Sequence, residues 1–144
     1  MNMEPLLKTK RQVAGFVPYR KNESDRYEFY LQMRDEQAPV HPNMFSVFGG
    51  GIEEGEALLK ALYREAKEEL DYQPEHIEYL SDFETGYASF SVFIERVGAD
   101  FESKITVHEG KYGAFLTFDD IVKSQAISPI AFLIAEAMHW YLKE

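Results

Sequence analysis

Gly50 to Tyr72 reads GGIEEGEALLKALYREAKEELDY, a glycine-rich turn followed by a segment with helical periodicity from Ala57 to Leu70. Leu58, Leu59, Leu62, Ala66 and Leu70 form the apolar stripe expected to face a core. A helix turns about 100° per residue, so Glu65, Glu68 and Glu69 fall within an arc of about 100°. Glu69 lies about 20° from Leu62 on the same wheel and so points where the apolar residues point. A carboxylate turned inward without a partner is strongly disfavoured, and it must take up a proton or find a cation.

With two more acids beside Glu69, like-charge repulsion makes a divalent metal the natural partner. Ligands that are all oxygen suit Mg²⁺ or Mn²⁺ and leave coordinated water for a phosphate to displace. An acidic trio on a helix also occurs as a plain solvated face. The residues ahead of the helix bear on that choice.

The spacing resembles the Nudix box, which runs glycine, five residues, glutamate, seven residues, then R-E-U-x-E-E-x-G-U with U aliphatic. Gly50, Glu56, Arg64, Glu65, Ala66, Glu68 and Glu69 match with every spacing kept. Asp71 stands where the pattern has glycine and Tyr72 where it has an aliphatic residue. That glycine would supply a left-handed helix cap, a conformation Asp tolerates better than a branched residue does. The resemblance implies an α/β/α sandwich with a mixed sheet, as one domain over residues 1–144. It also implies metal-assisted hydrolysis of a nucleoside diphosphate linked to another moiety, such as a nucleoside triphosphate, nucleotide sugar or dinucleoside polyphosphate. Glu65, Glu68 and Glu69 match the family's metal ligands, and the Gly49 carbonyl is a further candidate. Arg64 lies opposite Leu62 on the wheel and matches a structural position that pairs with Glu56. The general base is either a box glutamate or an acid from a later loop, for which Glu109, between His108 and Gly110, is the candidate.

Outside the box, strands are expected at Val13–Tyr19, Tyr27–Met33, Phe45–Phe48, Ile77–Glu84, Ser89–Arg96 and Gly113–Thr117. In the second, Tyr27, Phe29, Leu31 and Met33 alternate with Glu28, Tyr30 and Gln32, the pattern of a half-buried strand. Thr117 and Asp120 read as a capping box for a short helix to Lys123, and Ser128-Pro129 as the start of a last helix through Leu142. Strands mixed with helices in this order imply an α/β sandwich independently of the box. Arg34, Phe48, Phe83, Tyr87 and Phe90 are candidates to line a substrate pocket, each with core packing as the alternative. His41, His76 and His139 show no partner pattern.

The chain has 144 residues, 45% hydrophobic, with eleven Phe and nine Tyr, enough for a real core. It contains no cysteine, which excludes disulfides and zinc-thiolate sites. No apolar run is long enough to span a bilayer, and MNMEPLLKTKR lacks a signal peptide's apolar segment, so a cytoplasmic location is expected. A formal net charge of −10 disfavours long nucleic acids but not a small phosphorylated nucleotide at a metal. Monomer and homodimer both stay open, with Ile130, Leu133, Ile134 and Tyr141 of the last helix serving either a dimer or the core. A module that keeps the fold and senses a nucleotide without turnover is the competing function.

Overall fold

Apolar residues on both sides of Arg11–Lys21 (β1) place this strand at the centre of a seven-stranded mixed sheet. The computed structural model describes residues 10–143, so most of MNMEPLLKTKR lies outside the described residues. The other strands are Tyr27–Met33 (β2), Phe45–Ser46 (β3), Phe48–Gly51 (β4), Glu78–Glu84 (β5), Ala88–Arg96 (β6) and Tyr112–Thr117 (β7). β6 runs parallel to β1, whereas β2 and β4 share the other edge of β1 in antiparallel register. β2 in turn carries β3 and β7, and β5 closes the sheet beyond β6.

Helices cover both faces, as expected of a sandwich. Leu58–Leu70 (α1) packs Ala61, Leu62, Ala66 and Leu70 on Ala14, Phe16, Phe48 and Phe93. On the other face, Phe118–Lys123 (α2) and Pro129–Leu142 (α3) pack Ile121, Ile130, Ala131, Ile134 and Met138 on Val17, Phe29, Leu31 and Ile94. The start signals of both helices are realised. Thr117 and Asp120 form a reciprocal capping box, and the Ser128 hydroxyl accepts from the Ala131 amide. No helix among the described residues is long and apolar enough to cross a membrane.

Several expectations change. Phe45–Phe48 is two short strands, and Gly49, Gly50 and Gly51 are not a turn: they pair in β4 with Gly15, Ala14 and Val13. The chain turns only afterwards, at Glu53–Glu56. β2 is buried on both faces rather than half-buried, because Tyr30 enters an aromatic cluster with Phe48, Phe101 and Phe115, and Gln32 is enclosed with it. Leu59 drops out of the stripe at 48% exposure, while Leu58 packs partly buried against the core and full burial begins at Ala61. Ile130 and Ile134 belong to the core, while Leu133 and Tyr141 face outward. The short 3₁₀ turn Phe101–Ser103, which buries Phe101, carries no strong sequence signal.

Candidate active site

Extended pairing of β4 with β1 lays the glycine backbone directly beneath α1. A side chain at Gly50 would occupy the space of the Glu65 carboxylate, so glycine there lets the helix acid lie against the strand. The Gly49 amide donates to Glu69 Oε1 at 2.8 Å. Glu69 is 3% exposed, as its place on the wheel requires.

Arg64 spreads over the helix start and joins it to the strand. Its Nε and Nη2 donate to both Glu56 oxygens at 2.8 and 2.9 Å, and Nη2 also donates to the Gly51 carbonyl at 3.0 Å. The Glu53 amide donates to Glu56 as well, at 3.0 Å. This paired fork holds the Glu56 carboxyl down to about 2, chiefly through the Arg64 hydrogen bond. Beyond the expected partner, Arg64 Nη1 reaches Glu65 at 2.9 Å and Glu68 at 3.4 Å. Glu68 is accordingly turned to the surface, its side chain 58% exposed.

The loop before β7 completes the acidic group. Glu109 lies beside Glu69 and near enough to Glu65 for its charge to act there, while Glu68 is held off by Arg64. Burial pushes the Glu65 carboxyl up, against the opposing pull of Arg64. Burial pushes Glu69 up further, to about 10, and the hydrogen bond and charge of Glu109 add to it; the Gly49 amide offsets a small part. No three acidic or histidine side chains among the described residues are already grouped to enclose an ion. The donor set nevertheless suits a hard divalent cation, being all carboxylate and backbone oxygen, with a buried Glu69, a partly buried Glu65 and an exposed Glu109 whose charges disfavour one another until a cation joins them.

A cleft of about 340 Å³ opens over this group. Its lining includes Glu65, Glu109 and the three glycines together with Arg11, Arg34, His41, Tyr87 and Phe90. Arg34, Tyr87 and Phe90 therefore stand where a substrate could meet them. Phe48 also lines the cleft, but its ring is 1% exposed and stacks on Tyr30 with centroids 5.6 Å apart. Phe83 does not line the cleft and packs, partly buried, against the core on the α3 side. Sequence reading missed Arg11, whose guanidinium lies against Gly51; only the β1–β4 pairing brings those residues together. It also assigned no role to His41, which sits in the cleft wall at φ 51°. A second cavity of about 340 Å³, between the β1–β2 turn and the end of α3, has its acids Asp25 and Asp119 paired with Lys21 and Arg26. It lacks an acidic group of the kind that faces the first cleft.

The glycine strand, the Arg64–Glu56 fork and the paired helix acids coincide with a match of residues 9–134 to the NUDIX domain family. The chain belongs to the Nudix family. Among solved structures, this Nudix chain is similar to the NUDIX domain of Shewanella oneidensis NrtR complexed with ADP ribose. That likeness has a TM-score of 0.76 at 14% identity and covers 99% of this chain and 100% of the other. A C. elegans Ap4A hydrolase in a binary complex matches with a TM-score of 0.65 at 20% identity, over 92% and 97% of the two chains. Shewanella oneidensis NrtR complexed with a 27mer DNA matches with a TM-score of 0.70 at 14% identity, over 91% of this chain and 61% of that one. At these identities the likenesses establish the fold alone. No curated protein matches the sequence.

Proposed function

We propose that this Nudix protein, as one domain over its whole length, hydrolyses a phosphoanhydride bond in a nucleoside diphosphate linked to another moiety. The observation that carries the reading is that Glu109 comes beside Glu69 and near Glu65 at a cleft lined by Glu65, Glu109, Arg11 and Arg34. Glu65, Glu68, Glu69 and the Gly49 carbonyl would hold Mg²⁺ or Mn²⁺, with Glu68 leaving Arg64 to join them. When bound, the ion neutralises phosphate oxygens and increases the acidity of water.

The chain's own groups do the rest. Arg11 and Arg34 pair with phosphate oxygens, and Tyr87 and Phe90 offer faces on which a base stacks. Water attacks phosphorus, the anhydride P–O bond breaks with its electrons on the leaving phosphate, and the water proton passes to Glu109. A box glutamate is the other candidate for that proton. The Arg64–Glu56 fork keeps the glycine strand and helix in register and does not touch substrate. Nucleoside triphosphates, nucleotide sugars and dinucleoside polyphosphates are the substrates in view, and the cytoplasm is the compartment in which we place the activity.

A non-catalytic nucleotide sensor is the second reading, favoured by the likeness to the NrtR domain bound to ADP ribose. The intact set of box acids favours turnover instead. A panel of the three substrate classes, incubated with Mg²⁺ or Mn²⁺ and assayed for phosphate-containing products, decides between them. Hydrolysis of at least one class is expected; tight binding without any product would establish the sensor.

A further inference from the structure

Asp71, which replaces the glycine of the box, adopts φ 53° and ψ 35° at the end of α1, and its amide caps the Lys67 carbonyl. A non-glycine residue is disfavoured in this left-handed conformation, so its side chain needs a compensating use. Asp71 Oδ2 lies 3.1 Å from His108 Nε2, and His108 immediately precedes Glu109. The geometry points to Asp71 and His108 as a clasp that positions Glu109 against Glu69; this inference rests on the hydrolase reading above.

The loop that carries Glu109 is attached directly to the end of α1. The Thr106 amide donates to the Leu70 carbonyl at 3.1 Å and the His108 amide to the Glu69 carbonyl at 2.8 Å, using acceptors that a helix terminus leaves open. Past Glu109, the Gln32 amide group donates to the Glu109 carbonyl at 3.1 Å. Gly110 then turns at φ 80°, where any side chain would strike the Met33 carbonyl, and the Lys111 amide donates to that same carbonyl. Glu109 is thus fixed to β2 on one side and to α1 on the other. The α1 side is the one that sets Glu109 beside Glu69. Asp71–His108 is the side-chain contact that closes that junction. Both side chains are about half exposed, so the contact is screened by salt and shifts the junction only modestly, by a factor of up to about five.

Asp71→Gly separates positioning from stability. Glycine suits the left-handed cap, so the variant keeps or raises its Tm. It is nevertheless expected to lose about two- to fivefold in kcat at unchanged KM, with faster hydrogen exchange at the Thr106 and His108 amides. Asp71→Asn, which keeps an acceptor for His108 Nε2, restores both. His108→Ala reproduces the loss, and the double variant adds nothing to it. Unchanged amide exchange in Asp71→Gly, or additive losses in the double variant, would overturn the clasp. If the wild type turns over no substrate, the hydrolase reading fails, and exchange at the two amides alone decides whether the clasp exists.

Discussion

A carboxylate that is 3% exposed and faces two others persists only with a proton or a cation, and Glu69 has just one backbone donor, from Gly49. Its inward direction follows from the helical wheel alone, because Leu62 fixes the core side. The helix could not reveal that Glu109 would be its neighbour: that contact spans 40 residues and depends on where the loop before β7 meets the end of α1. Glu68 went the other way. Its place on the wheel is right, yet Arg64 at i−4 draws its carboxylate to the surface. Two substitutions test these roles. Glu68→Gln is expected to lower turnover by at least about tenfold with the fold intact, since it removes a cation-binding charge and little volume. Parental activity would remove Glu68 from the metal set. Glu109→Gln is expected to lower kcat by about 10² to 10⁴ if Glu109 takes the water proton. Rates near those of the wild type across pH would pass that role to a box glutamate.

At the level of elements, the helices were legible because caps and periodicity are local signals. Thr117–Asp120, Ser128–Pro129 and the left-handed Asp71 all stand as read. The glycine run was misread because a strand of glycines has no side-chain pattern, and only pairing with β1 defines it. The other departure from the box has its explanation in β6. Tyr72 donates to Glu95 at 2.7 Å, and that carboxylate, 2% exposed, also accepts the Glu75 and His76 amides at 2.7 and 2.5 Å. Burial, then the Glu95 carboxylate, pushes the Tyr72 hydroxyl up, so it remains a donor at all ordinary pH. Tyr72 therefore joins the exit of α1 to the sheet, where an aliphatic residue could only pack. Glu95→Ala strands a hydroxyl and two amides, and a loss of about 3 kcal/mol in denaturant unfolding is expected. A loss below about 1 kcal/mol would mean that water replaces the carboxylate.

For the whole molecule, the acidic group couples stability to pH and, on the proposed reading, to metal. Burial, with Glu109 beside it, pushes the Glu69 carboxyl well above the ordinary carboxylate range on folding. Above that ordinary range the folded chain therefore holds more protons than the unfolded one, and without metal its stability falls as pH rises towards the folded-state value. A cation that binds the charged acids offsets the loss. At pH 9, Mg²⁺ at a hundredfold excess over its Kd should add about 2.7 kcal/mol; the same concentration should raise Tm less at pH 5, and a chelator should abolish the effect. Equal shifts at both pH values would detach the ion from these acids. The parallel seam between β1 and β6 has a consequence for biosynthesis. It joins Arg11 to Ala88 and Tyr19 to Arg96, so a nascent chain cannot close its central sheet until the ribosome has released residue 96. The box helix emerges well before that and waits beside a half-built sheet, and Glu109 follows later still. A product stalled or truncated before residue 96 would thus carry the whole recognisable motif without the β1–β6 seam and without Glu109.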